Sequence, residues 1–143
     1  MVELSVSILS MKNELNVCEK IKKLNNLDID YLHIDIMDGK FVQDETWHVT
    51  ELKKLLSNNF KPLDIHLMVE DVNSYVSEFS KLKPKYITFH LEAVNDPTEF
   101  INFIKQNGIK AGISIKPDTD VSCLLPYLEF VDLVLIMSVE PGK

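Results

Sequence analysis

Apolar stretches of strand length recur along the chain at Leu4–Leu9, Tyr31–Met37, Leu63–Val69, Tyr86–Leu91, Ala111–Ile115 and Val131–Val139. Between them lie segments with helical spacing. Glu14–Leu24 sets Leu15, Cys18, Ile21 and Leu24 on one stripe, Val49–Leu56 carries Val49, Leu52, Leu55 and Leu56, and Val72–Leu82 carries Val72, Tyr75, Val76, Phe79 and Leu82. Asp96-Pro97 supplies an N-cap acid and a first-turn proline for a helix that Gly108 stops, and Pro117-Asp118 opens a shorter segment running to about Pro126. Six strands separated by five helices predict repeated βαβ units and a parallel sheet.

The two parities of the strands differ. Leu32, Ile34 and Ile36 alternate with Tyr31, His33, Asp35 and Met37. Likewise Leu63, Ile65 and Leu67 alternate with Asp64, His66 and Met68, while Ile87, Phe89 and Leu91 alternate with Tyr86, Thr88 and His90. An open, doubly wound sheet buries both faces and reads as continuously apolar, whereas a closed barrel sends alternate residues inward and outward. A (β/α)8 TIM barrel with a polar lumen fits, and its chemistry belongs at the C-terminal ends of the strands. Six strands in 143 residues fall short of the eight such a barrel needs, so the expectation is one barrel domain over 1–143, C-terminally incomplete, with about six of eight βα units.

The composition is that of an ordinary globular domain, 45% hydrophobic and 26% charged. A formal net charge of −7 argues against nucleic acid or an anionic membrane as partner. The longest apolar stretch is far short of the ~20 residues of a membrane helix, and no basic-then-apolar leader opens the chain. It reads as cytoplasmic. Cys18 and Cys123 form no C-x-x-C pattern and are expected to be reduced, mostly buried thiols. His48 is expected near a helix start, and Glu92 and Asp96 as loop or cap acids.

The chemistry concentrates in His33, Asp35 and His66. His33 and Asp35 lie two apart on one strand and point the same way, and His66 takes the corresponding place on the next. Two imidazoles and a carboxylate form a ligand set for a divalent transition metal: zinc, iron, manganese or cobalt. Met37, Met68 and Met137 share the lumen parity at the ends of their strands, where they serve either as packing or as a water-excluding wall. Gly142-Lys143 is no P-loop, because Met137 stands where that motif requires glycine.

Several strings resemble the ribulose-phosphate 3-epimerase family: Ser7–Ser10, His33–Val42 (HIDIMDGKFV), Leu63–Val69 (LDIHLMV), Ile87–Ala93 (ITFHLEA), Lys110–Ile113 and Val131–Gly142 (VDLVLIMSVEPG). They cover the whole chain in order. The resemblance implies a barrel of the ribulose-phosphate-binding type and a metal-dependent isomerase of the pentose phosphate pathway. That enzyme interconverts D-ribulose 5-phosphate and D-xylulose 5-phosphate by removing and returning the C3 proton through an enediolate. It implies Asp35 as acid/base and metal ligand, and His33 and His66 as metal ligands. Ser7 and His66 would be substrate contacts, Met37, Met68 and Met137 the enclosure of the intermediate, and Gly142 the start of a phosphate-binding loop. The second catalytic aspartate, also the fourth metal ligand, falls beyond residue 143 in this family, and self-association as a homo-oligomer is common in it. Lys116 takes a position where asparagine is common, and Lys143 one where an aromatic often follows Gly142. Two other readings stand beside this one: a related ketose-phosphate 3-epimerase, such as one acting on allulose 6-phosphate, and an inactive metal-binding remnant.

Overall fold

The computed structural model describes residues 2–143. Six strands form one sheet in the order β1-β2-β3-β4-β5-β6: β1 (Ser5–Ser7), β2 (Tyr31–Met37), β3 (Leu63–Met68), β4 (Tyr86–His90), β5 (Lys110–Ile115) and β6 (Leu133–Ile136). Every neighbouring pair is parallel. Strictly sequential order is the arrangement of a barrel, because a doubly wound sheet reverses its order at a switch point. The sheet curls into a half-barrel alternating with helices, as in an incomplete (β/α)8 barrel.

Four α-helices connect the strands: α1 (Val17–Asn25), α2 (Val49–Leu55), α3 (Val72–Phe79) and α4 (Pro97–Gln106). The Asp71 side chain caps α3 by accepting from the Ser74 N–H, and Asp96 caps α4 by accepting from Thr98 N–H, with Pro97 in the first turn. His48 occupies the N-cap position of α2. The fifth expected helix is a 3₁₀ segment, Val121–Tyr127, with Pro126 inside it. Proline removes the backbone donor that an α-helix would use there. The outermost strands are also shorter than their apolar stretches, because each has only one hydrogen-bonded neighbour to define its length.

The apolar parity faces the helices. Leu32, Ile34, Ile36, Ile65, Ile87 and Ile113 are fully buried there. β6 departs from this pattern, since Val134 and Ile136 remain exposed at 37% and 53%. The inner face carries the polar parity. It is so tightly packed across β4 and β5 that a Cβ added at Gly112 would lie 2.1 Å from Thr88 Oγ1.

Two expectations are corrected. Cys18 and Cys123 are both exposed. In α1 the buried face is Val17, Ile21 and Asn25, and Leu15 precedes the helix with 87% exposure. The stripe is rotated because Asn25 is an anchor. Its Oδ1 accepts from Phe60 N–H (2.9 Å) and Lys61 N–H (3.1 Å) in the turn before β3, and its Nδ2 donates to the Ile21 carbonyl. Removing a buried partner leaves such donors unpaired, at about 1–3 kcal/mol. Asn25→Ala should therefore lower unfolding free energy by about that amount in urea titration. A change near zero would show that water replaces the amide.

Candidate functional site

The inner face of β2 and β3 builds the site. The parallel register sets Asp35 opposite His66 and Met37 opposite Met68. Asp35 Oδ1 lies 3.2 Å from His33 Nε2 and 3.3 Å from His66 Nδ1, while Ser7 Oγ donates to Oδ2 at 2.7 Å. His33, Asp35 and His66 each offer one ligand atom, and these atoms lie within 4.8 Å of one another. The set could hold a metal ion.

The atoms behind these groups decide which ring nitrogens are free. Asp64 Oδ2 is 2.8 Å from His33 Nδ1 and also accepts from Ser5 Oγ at 2.8 Å. A carboxylate can only accept, so His33 Nδ1 carries a proton and Nε2 is the nitrogen that faces Asp35. A carboxylate behind an imidazole in this way fixes the ring and raises its basicity toward a metal. Burial alone would lower the His33 pKa, but hydrogen bonds and charge from Asp35 and Asp64 outweigh it and raise the pKa to about 10. Burial would raise Asp35, yet hydrogen bonds from His33, His66 and Ser7 and the charge of His33 hold it well below the usual carboxylate range. The metal-free site is thus an ionised carboxylate beside a protonated imidazole.

The sequence-predicted residues divide as follows. His33, Asp35, His66 and Ser7 are brought together. Met37 and Met68 lie side by side and buried at the strand ends. Gly142 has φ +81°, and a Cβ there would lie 3.7 Å from Met37 Sδ, so this turn folds back over β2. Met137 follows β6, half-buried, with its N–H bonded to the Ile115 carbonyl. Phe41, Gly142, Lys116 and Lys143 line a mouth cavity of about 250 Å³, where Lys116 Nζ sits 4.3 Å from the Phe41 ring centre.

Sequence reasoning left three residues without a role. Asp64 shared the polar parity, which was its signal. His90 shared it too and is fully buried, with Nε2 2.9 Å from His66 Nε2. Burial, then the charge of His66, pushes the His90 pKa down to about 4. Glu92, expected as a loop acid, does lie in a 3₁₀ turn, but it is bonded to His90 Nδ1 at 3.2 Å. No helix among the described residues is long and apolar enough to cross a membrane.

Sequential parallel strands, with ionisable groups converging on the inner face, define a (β/α)-barrel protein with a site suited to a metal. The sequence model of the Ribulose-phosphate 3 epimerase family matches residues 3–143. Curated relatives named ribulose-phosphate 3-epimerase include those of Methanocaldococcus jannaschii (38% identical over 142 residues, 99% of this chain and 59% of the relative) and Buchnera aphidicola (39% over 125 residues, 87% and 55%). A third, from Treponema pallidum, is 40% identical over 112 residues, covering 78% of this chain and 51% of the relative. The chain belongs to the ribulose-phosphate 3-epimerase family. It spans somewhat more than half the length of these relatives.

A metal entering this site must displace the proton on His33 Nε2. Because that pKa is raised to about 10, protons compete throughout the neutral range. Apparent metal affinity should rise with pH, by about tenfold or more per unit, and level off near pH 10. Calorimetry in buffers of different ionisation enthalpy should register at least about one proton released per ion at neutral pH. A pH-independent affinity with no proton release would contradict this state of His33.

Proposed function

We propose that the protein is a ribulose-phosphate 3-epimerase that holds one divalent ion, zinc, iron, manganese or cobalt, on His33, Asp35 and His66. The observation that carries this reading is the convergence of those three ligand atoms within 4.8 Å, in a chain belonging to this family. Borderline divalent ions suit two imidazole nitrogens and a carboxylate oxygen. Such an ion, when bound, supplies Lewis-acid stabilisation for negative charge developing on a substrate oxygen.

The chain's own residues supply the first half of the proton transfer and part of the enclosure. The proton at C3 of a ketose phosphate is weakly acidic and needs a positioned base. Asp35 is held ionised, which is the form a base requires, and Ser7 Oγ fixes the orientation of its Oδ2. Asp35 accepts the C3 proton at a carboxylate oxygen, and inversion is completed when a second acid returns a proton to the opposite face, the part the family resemblance assigns to an aspartate beyond residue 143. Ser7 and His66 line the substrate's side of the site. Met37 and Met68 wall the strand ends with polarisable, conformationally adaptable side chains, as would Met137, excluding water from either epimer. Lys116, Lys143 and the Gly142 turn at the mouth supply local positive charge and backbone for the phosphate, against a chain of net charge −7. The protein would act as a cytoplasmic homo-oligomer.

The test is conversion of D-ribulose 5-phosphate by the intact, metal-loaded protein in D2O, followed by NMR. Epimerisation with deuterium appearing at C3 supports the reading, and Asp35→Asn should reduce the rate by about 10²-fold or more. An intact, metal-loaded protein that neither epimerises nor exchanges this proton would overturn it. Preference for a ketose 6-phosphate in the same assay would reassign the substrate.

A further inference from the structure

Behind His66 runs a line of hydrogen bonds that the proposed reaction does not use. His66 Nε2 faces His90 Nε2 at 2.9 Å, and His90 Nδ1 faces Glu92 Oε2 at 3.2 Å. Glu92 Oε1 accepts from the Lys116 backbone N–H at 2.7 Å and from Thr119 Oγ1 at 2.5 Å. Phe41 packs against the His90 ring with centres 5.0 Å apart. Both imidazoles are buried, His66 at 2% and His90 at 0% exposure, so neither ring can turn to water for a partner.

The direction of this line follows from its far end. A carboxylate only accepts, so His90 Nδ1 must donate to Glu92. A neutral His90 then has a bare lone pair at Nε2, and the facing nitrogen of His66 must carry the proton. His66 Nδ1 faces Asp35 Oδ1 and donates to that carboxylate while no metal is bound, so Nδ1 is the nitrogen that gives up its proton to a metal ion and Nε2 the one that keeps it. We propose that His90 and Glu92 are positioning residues that hold the His66 proton at Nε2 and thereby make Nδ1 the nitrogen that ligates a metal ion. Glu92 is itself held by the segment after β5, so the loop that carries Lys116 and Thr119 is tied to the ligand geometry two strands away. Asp64 serves His33 from the opposite side, but with one direct bond; His66 is served through a second imidazole. This inference rests on the metal-site reading above.

The experiment compares the intact wild-type protein with His90→Phe and Glu92→Gln. Cobalt(II) affinity is measured by calorimetry, and the proton on His66 Nε2 by long-range 15N–1H NMR of the protein loaded with diamagnetic zinc(II). His90→Phe removes the acceptor of the Nε2 proton, so that proton should lose its hydrogen-bonded signal and affinity should fall about 10–100-fold. Glu92→Gln has one amide oxygen, which cannot serve His90 on one side and Lys116 N–H on the other. It should weaken cobalt binding in the same direction with a smaller change in melting temperature, and it carries the test should His90→Phe fail to fold. Variants that bind cobalt within about threefold of wild type, with the His66 Nε2 proton of the zinc-loaded protein unshifted, would overturn the relay while leaving the metal centre intact. A wild-type protein that binds no cobalt would overturn both.

Discussion

Asp35 is ionised on the inner face of a curled sheet whose other face is packed with aliphatic side chains, and the surrounding polar structure is arranged to make that tolerable. An unpaired buried carboxylate is costly. Here one oxygen faces two imidazoles and the other takes a hydroxyl proton from Ser7. Each imidazole in turn needs a partner for its second nitrogen. Asp64 meets that need for His33, and His90 with Glu92 meets it for His66. The result is one continuous polar chain crossing β1 to β4, in which each group's charge or tautomer is set by its neighbour.

The same arrangement links site to scaffold. The ligands sit on adjacent strands in fixed register, so their separation is set by backbone ladders rather than by flexible loops. The outer apolar parity presses the helices against the sheet and holds the ladder in place. Where the inner face has no room for even a methyl group, at Gly112 against Thr88, the strand carries glycine. Loops contribute at the mouth: the Gly142 turn folds to Met37, and Lys116 lies over Phe41.

Much of this was legible before any coordinates. Alternation placed Leu32, Ile34 and Ile36 outward and His33 and Asp35 inward because the strand period is two, and a shift by one residue would reverse every side chain. The caps at Asp96 and the parallel, sequential barrel order followed from local chemistry and element alternation. The α1 stripe was misread because a polar residue, Asn25, occupies the buried face, and periodicity counts only apolar positions. The cysteines were misread because composition records how often thiols are buried, not where these two fall. Pro126 marked a break, but the 3₁₀ form of that segment follows from how it packs.

By itself, then, the sequence determined the class of fold, the inward parity and the identity of the three candidate ligands, since these depend on residue type and on spacing within single strands. Only the tertiary structure decided which ring nitrogen meets which carboxylate. That depends on the register between β1, β2, β3 and β4, and on a loop after β5 reaching Glu92 from 24 residues away. Hydrogen-bond direction is a property of the assembled neighbourhood. No single strand carries enough of the polar chain to define it.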